Sequence, residues 1–271
     1  MRRIEGWGFQ VAVGHAVLAR HTYLAGADAE RLADVAEMIA DPRVRAVFCA
    51  RGGYGSQRLV PRLDLQALAA APKAIVGYSD ATALLNAVVR AGVVAVHGPM
   101  VADDMATGLS PRAESHLRAL LEGDAAWEVE VPVAMRGGRA CGRLLGGCLS
   151  VLVTTLGTPW APDTDGAVLF LEDTWERPYR LDRLLTQLRQ AGKLDRLAGL
   201  VFGTMAACPP VNGVGPADVI RACCDDLPYP IGFGLAAGHN PGGDNLALPL
   251  GVQVELDTDR GRLRALEAAV G

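Results

Sequence analysis

Ser79 sits where a serine could serve as a nucleophile. The stretch Lys73-Ala-Ile-Val-Gly-Tyr-Ser-Asp-Ala-Thr-Ala-Leu-Leu-Asn86 reads as a buried strand over 74–78, a sharp corner at Ser79-Asp80, and a helix running to about Arg90. A corner of that kind lifts a hydroxyl out of the sheet, and the first N–H groups of the helix lie beside it, ready to stabilise an oxyanion. The plainer reading is a helix cap, since serine and aspartate are both preferred there. A nucleophilic serine needs a base. Of the five histidines, His15 and His21 fall in an early loop, His97 ends a strand and His116 sits mid-helix. His239 lies in Gly238-His-Asn-Pro-Gly-Gly-Asp-Asn245, a segment too rich in turn formers to be core. The base in turn needs a carboxylate to orient it. Val168-Leu-Phe-Leu-Glu172-Asp173 delivers an acid to the end of an apolar strand, where burial is costly unless the acid is hydrogen-bonded or paired. Glu176 on the same loop is a further candidate, and Glu172 or Asp173 could instead cap a turn or pair with Arg177, Arg180 or Arg183.

The elements that must carry these residues alternate. A helix tail over 2–8 and a strand over 9–14 precede an amphipathic helix over 28–39, in which Leu32, Val35, Ala36 and Ile39 recur at helical spacing. A strand over 44–50 leads into the glycine loop Arg51-Gly-Gly-Tyr-Gly-Ser56; a helix, the Ser79 unit and a strand over 93–97 follow. Such alternation predicts a mostly parallel sheet with helices on both faces, and ligands beyond the carboxyl ends of its strands. Arg51-Gly52-Gly53 and Ser79-Asp80 both fall there. A helix over 111–121 closes this first domain, 1–125. Residues 126–140 read as a linker, with Trp127-Glu-Val-Glu-Val-Pro132 alternating as an exposed strand or connector and a turn at 136–139. The second domain, 141–271, has a Gly-rich helix start at 146–151, strands over 167–172, 197–203 and 230–235, helices over 179–191 and 216–225, and a closing meander of strands over 246–250, 252–256 and 263–266.

Composition narrows the function classes. The chain has 271 residues, half of them hydrophobic, and a formal net charge of -4 with the two signs interspersed. That argues against nucleic acid as a partner, which would need a surplus of Lys and Arg on one face. No apolar run approaches the roughly 20 residues of a membrane helix, and the N-terminus lacks the apolar core of a signal peptide. Six cysteines form no C-x-x-C pair, which favours reduced thiols in a cytosolic protein over a zinc site.

The three chemical stretches recur together in a known family. The chain resembles the LD-carboxypeptidases, serine peptidases that include the muropeptide LD-carboxypeptidases and the microcin C immunity peptidases. The matching segments are Tyr23-Leu-Ala-Gly-Ala-Asp28, Arg51-Gly-Gly-Tyr-Gly-Ser-Gln-Arg-Leu59 and Gly77-Tyr-Ser-Asp-Ala-Thr-Ala-Leu84. They continue with His97-Gly-Pro-Met100, Gly142-Arg-Leu-Leu-Gly-Gly147 and Leu171-Glu-Asp-Thr-Trp-Glu-Arg-Pro-Tyr-Arg-Leu-Asp-Arg183, and close with Gly238-His239 and Asn245-Leu-Ala-Leu-Pro-Leu-Gly251. The resemblance implies an α/β fold with an N-terminal parallel-sheet domain, like that of class I glutamine amidotransferases, and a smaller β-rich C-terminal domain. It implies Ser79 as nucleophile, His239 as base and Glu172 as its orienting acid, with an oxyanion hole from the amides of Asp80, Gly52 and Gly53. It also implies a cytoplasmic homodimer without metal or organic cofactor. Family members begin with a further strand and turn upstream of what is Met1 here, so the first strand of the parallel sheet is expected to be missing.

The activity implied is hydrolysis of an L–D peptide bond, removing the terminal D-alanine of a murein tetrapeptide during peptidoglycan recycling. The runner-up keeps the triad and cleaves aminoacyl or peptidyl-nucleotide conjugates of the microcin C type. A third reading, a non-catalytic module whose Arg51-Gly-Gly-Tyr-Gly loop cradles a phosphate or sugar, lacks both the P-loop lysine and the dinucleotide spacing. Arg51, Tyr54 and Trp175 are candidate substrate contacts. Arg51 and Arg58 could clamp a free carboxylate, or pair structurally with Asp64 or another acid.

Overall fold

The structure, a computed structural model, describes residues 2–270. Helix α1 (Arg2–Gly6) is followed by an irregular stretch and then α2 (Asp28–Ala40), whose first turn is closed by Glu30 accepting from the Ala27 amide at 2.8 Å. The strand expected over 9–14 is absent; those residues are irregular, and Phe9 and Val13 are exposed. An alternating apolar pattern becomes a strand only where a neighbour accepts its ladder bonds, and no described strand lies alongside.

Three short parallel strands come next: β1 (Ala46–Phe48), β2 (Ala74–Gly77) and β3 (Ala95–His97). Helix α3 (Leu65–Ala70), capped by Asp64 on the Ala67 amide at 2.8 Å, joins the first two. Helix α4 (Thr82–Arg90) joins the second and third, and every residue from Thr82 to Val89 is buried. A helix buried on every face must be covered on all sides, and α4 packs against β2, β3 and elements of the second half. Helix α5 (Pro111–Leu121) starts at a Ser110 cap with proline at its first position.

The second half builds a larger, eight-stranded mixed sheet around β6 (Arg139–Cys148), β7 (Val168–Thr174), β8 (Gly199–Ala206) and β9 (Ile231–Phe233), which run parallel. The run from Val168 to Asp173 is buried throughout, as expected of a central parallel strand covered on both faces. Helices α6 (Leu149–Thr154), α7 (Pro178–Gln190) and α8 (Pro216–Cys224) make the crossovers.

Three expectations are corrected here. The segment 126–140 is not a linker: β4 (Glu128–Glu130) and β5 (Val133–Arg136) form the opposite edges of the larger sheet, held by the buried Trp127, Val129 and Val131. The C-terminal half carries the larger of the two sheets, not a smaller unit. The closing meander is only a hairpin of β11 (Gln253–Asp257) and β12 (Arg262–Ala265). The segment before it, β10 (Leu248–Leu250), crosses back to pair antiparallel with β3. The two sheets are thereby joined through the chain that follows the His239 loop.

Candidate active site

The corner at Ser79 is made by glycines that let chains approach. A Cβ on Gly52 would lie 2.9 Å from the Ser79 Cβ, and one on Gly77 would lie 2.9 Å from the Cys49 Sγ. With that room the chain turns at once from β2 into a single 3-10 turn over Ser79–Ala81, and Ser79 takes φ +58°. A non-glycine residue in that region is strained, and such strain gathers at functional corners. Asp80 holds the turn from outside: its carboxylate accepts from the Gly55 and Ser56 amides at 3.2 and 2.8 Å, and its carbonyl accepts from the Ser56 hydroxyl. Asp80 is thus a strut for the glycine loop, and the amides of Gly52 and Gly53 donate to no described acceptor.

The structure brings Ser79, His239 and Glu172 together. Ser79 Oγ is 3.1 Å from His239 Nε2, and His239 Nδ1 is 2.7 Å from Glu172 Oε2. The same oxygen accepts the His239 backbone N–H at 3.0 Å. Gly238 at φ +102° allows this, because a Cβ there would lie 2.5 Å from Glu172 Cγ and Oε2. The loop is steadied by the Gly238 amide donating to Asn245 Oδ1 at 2.9 Å and by Tyr78, whose ring meets the imidazole edge-on at 4.9 Å. Serine and glutamate come from different sheets, so the site lies on the seam between them.

Electrostatics set the protonation states. Glu172 is fully buried, which alone would raise its pKa, yet the hydrogen bond and charge of His239, with His97 beyond, hold it well below the usual carboxylate range. Burial alone would lower the pKa of His239, but its hydrogen bond to Glu172 and the charges of Glu172, Asp173 and Asp104 raise it. Asp173 is pushed up to about 6 by burial, against the amides of Thr174 and Ser150 that stabilise its anion. It accepts from the Ser150 amide at 2.8 Å and so anchors the start of α6. A hydroxyl, an imidazole whose charged form is stabilised and a buried carboxylate on its far nitrogen stand in the order that acyl transfer requires.

Residues 1–98 match the N-terminal domain of the LD-carboxypeptidases, and residues 141–256 match their C-terminal domain. The chain belongs to the LD-carboxypeptidase family. A murein tetrapeptide carboxypeptidase of Pseudomonas aeruginosa is 35% identical over 278 residues, covering 96% of this chain and 88% of that protein. A solved muramoyltetrapeptide carboxypeptidase from Oxalobacter formigenes superposes with a TM-score of 0.87 at 33% identity, over 97% of this chain and 92% of its own. The microcin C7 self-immunity protein of Escherichia coli is 26% identical over 295 residues, covering 96% of this chain and 85% of that protein. The mixed α/β fold of two sheets is shared with these carboxypeptidases, and the family is one of peptidases.

This member's other candidate residues are less committed. Trp175 is exposed, held at φ +61° with its amide on the Ala206 carbonyl at 3.0 Å. Tyr54 is exposed and its ring lies 6.0 Å from that of Tyr23. Arg51 is exposed and reaches only the neighbouring Gly52 carbonyl, at 3.4 Å. None of the three touches Ser79 or His239 through a described hydrogen bond or ring contact. Arg58 is engaged elsewhere, 2.6 Å from Asp28, while Asp64 serves as the α3 cap. Glu176 pairs with Arg180 at 2.5 Å. Sequence reasoning gave His97 no role; the structure buries it completely beside Glu172. No local signal marks it, because the contact joins the end of β3 to a strand in the other sheet.

No helix among the described residues is long and apolar enough to cross a membrane.

Proposed function

We propose that this chain is a serine carboxypeptidase that hydrolyses an L–D peptide bond and releases the terminal D-alanine of a murein tetrapeptide. The observation that carries the reading is the unbroken chain from Ser79 Oγ through His239 to the buried Glu172. In the forward step the Ser79 oxygen bonds to the scissile carbonyl carbon as its proton passes to His239 Nε2. Glu172 stabilises the imidazolium, and the amides of Gly52, Gly53 and Asp80 receive the oxyanion. His239 then gives the proton to the nitrogen of D-alanine, the C–N bond breaks, and an acyl-enzyme remains on Ser79. A water deprotonated by His239 attacks that ester, and the serine is restored. The name and 35% identity of the Pseudomonas relative support the substrate class.

Arg51, on the loop that carries Gly52, is assigned the free carboxylate of the substrate, with Tyr54 and Trp175 at the rim. The exposed indole of Trp175 also supports a second reading, cleavage of an aminoacyl-nucleotide conjugate whose base would stack on it. Six free thiols support a reducing, cytoplasmic setting. Exposed Leu18, Tyr23 and Tyr54 support a homodimer. The parallel-sheet half is read as glutamine amidotransferase-like, on the strength of its helix-covered strands and nucleophile corner.

The test is turnover of L-Ala-D-Glu-diaminopimelate-D-Ala followed by mass spectrometry. Wild type is expected to lose one D-alanine, and Ser79→Ala to lose at least about 1,000-fold in kcat while keeping its melting temperature. Faster turnover of an aminoacyl sulfamoyl adenosine than of the tetrapeptide would decide for the second reading. Full activity in Ser79→Ala would overturn both.

A further inference from the structure

One oxygen of the proposed triad carboxylate is left over. Glu172 Oε2 accepts twice from His239, whereas Oε1 is buried and has no hydrogen-bond partner among the described residues. Both ring nitrogens of His97 are buried and unpartnered in the same way. Three orphaned polar atoms in one place are unusual, because a buried group without a partner costs about 1–3 kcal/mol. Two of them answer one another: His97 Nε2 is 3.7 Å from Glu172 Oε1, and both side chains are completely inaccessible. The separation is one short closure from a hydrogen bond, and contacts of this kind tighten as a catalytic site assembles.

The ring is aimed by packing. Phe170, two residues before Glu172 on β7, meets it edge-on at 5.0 Å, and Tyr78, the residue before the nucleophile, lies 5.8 Å away. His97 itself ends β3, between Gly77 of β2 and Leu248 of β10 in the strand register. It therefore stands on the sheet that bears Ser79 and faces the acid carried by the other sheet.

We infer that His97 is a positioning residue, whose Nε2–H is given to Glu172 Oε1 so that the carboxylate orienting His239 is gripped from both sheets. The inference rests on the serine peptidase reading above. When His239 takes the serine proton, Oε2 is committed to the new imidazolium; a donor on Oε1 keeps the carboxylate ionised and its plane fixed at that moment. His97 touches no reacting atom, so it acts through Glu172 alone.

Two variants separate the donor from the ring. His97→Phe keeps an aromatic ring against Phe170 and Tyr78 and removes the N–H. His97→Gln discards the ring and keeps an N–H near the Nε2 position. The expected result is a 10- to 100-fold fall in kcat for His97→Phe with KM within twofold of wild type, and recovery to within about fivefold of wild type in His97→Gln. The reverse order, with Phe active and Gln impaired, would show that the ring matters only for packing, and equal activity in both would show no role. A second readout needs no turnover: the downfield proton NMR signal of the His239 Nδ1–H on Glu172. It is expected to move or broaden in His97→Phe and to stay near its wild-type position in His97→Gln; an unchanged signal in His97→Phe overturns the inference. Should wild type cleave neither the tetrapeptide nor the nucleotide conjugate, the function reading fails, and the NMR comparison still decides the part played by His97.

Discussion

At the scale of single residues, the site is a problem of keeping two charges where water cannot help. Burying Glu172 disfavours its charged form and burying His239 disfavours its charged form, yet side by side each restores the other. The consequence is a pH dependence with a definite sign. In the proposed reaction His239 must be neutral to accept the serine proton, and its pKa is raised, so kcat/KM should fall on the acid side with a midpoint above the ordinary imidazole value of about 6.5. Glu172→Gln removes the charge that lifts it. The acid limb should then move to lower pH while kcat drops by roughly 1,000-fold or more, since the imidazolium formed in the attack loses its partner. A pH profile of tetrapeptide turnover for both proteins checks this, and an acid limb that does not move in Glu172→Gln would break the link. Much of this was legible in the chain: an acid after four buried apolar residues and a histidine in a loop of turn formers are both out of the ordinary. His97 was not, because a strand-terminal histidine looks the same whether it faces solvent, core or a carboxylate from a distant strand.

At the scale of elements, the corner at Ser79 could be read because two local signals meet there, an apolar strand and a capping pair. The pattern of Gly146-Gly147 predicts a helix start, but the two residues lie within β6, which runs on to Cys148, at φ +126° and +130°. A Cβ on Gly146 would fall 1.8 Å from the Phe170 carbonyl oxygen, so these glycines serve a close approach of strands, which no local pattern announces. The same strand end is tied to α4, the helix that follows Ser79. Thr82 Oγ1 accepts from the buried Cys148 amide at 3.0 Å, and Asn86 Nδ2 donates to the Gly146 carbonyl at 2.8 Å. Cys148 lies opposite Glu172 in the strand register, so this tie fixes the acid relative to the serine. Thr82→Val keeps the shape but leaves the Cys148 N–H unpaired, at a cost of about 1–3 kcal/mol. Thermal unfolding should drop by on the order of 5 °C, whereas Thr82→Ser, which keeps the acceptor, should stay close to wild type. Equal losses in the two variants would assign the effect to packing.

At the scale of the whole molecule, the proposed triad, drawn from both sheets, demands that the sheets not slide. The chain meets that demand with β10, which leaves the second half after the His239 loop and pairs with β3, setting Leu248 opposite His97. Reading order could not reveal this: three apolar segments near a C-terminus look alike, and only long-range pairing shows that the first belongs to another sheet. The buried α4 packs against strands of both sheets. An interface of this apolar character, with a strand crossing it, couples the halves more tightly than the polar contact usual between domains. The expectation is a single unfolding transition, in which loss of activity, near-UV circular dichroism and calorimetric heat share one midpoint. Leu248→Ala, at a site with no solvent exposure, should cost about 2–5 kcal/mol and move all three midpoints together. If activity instead fell at a lower temperature than the calorimetric transition, β10 would be detaching before either sheet melts. The seam would then be the weakest part of the protein, and the fixed distance between Ser79 and Glu172 would have to be restored by substrate.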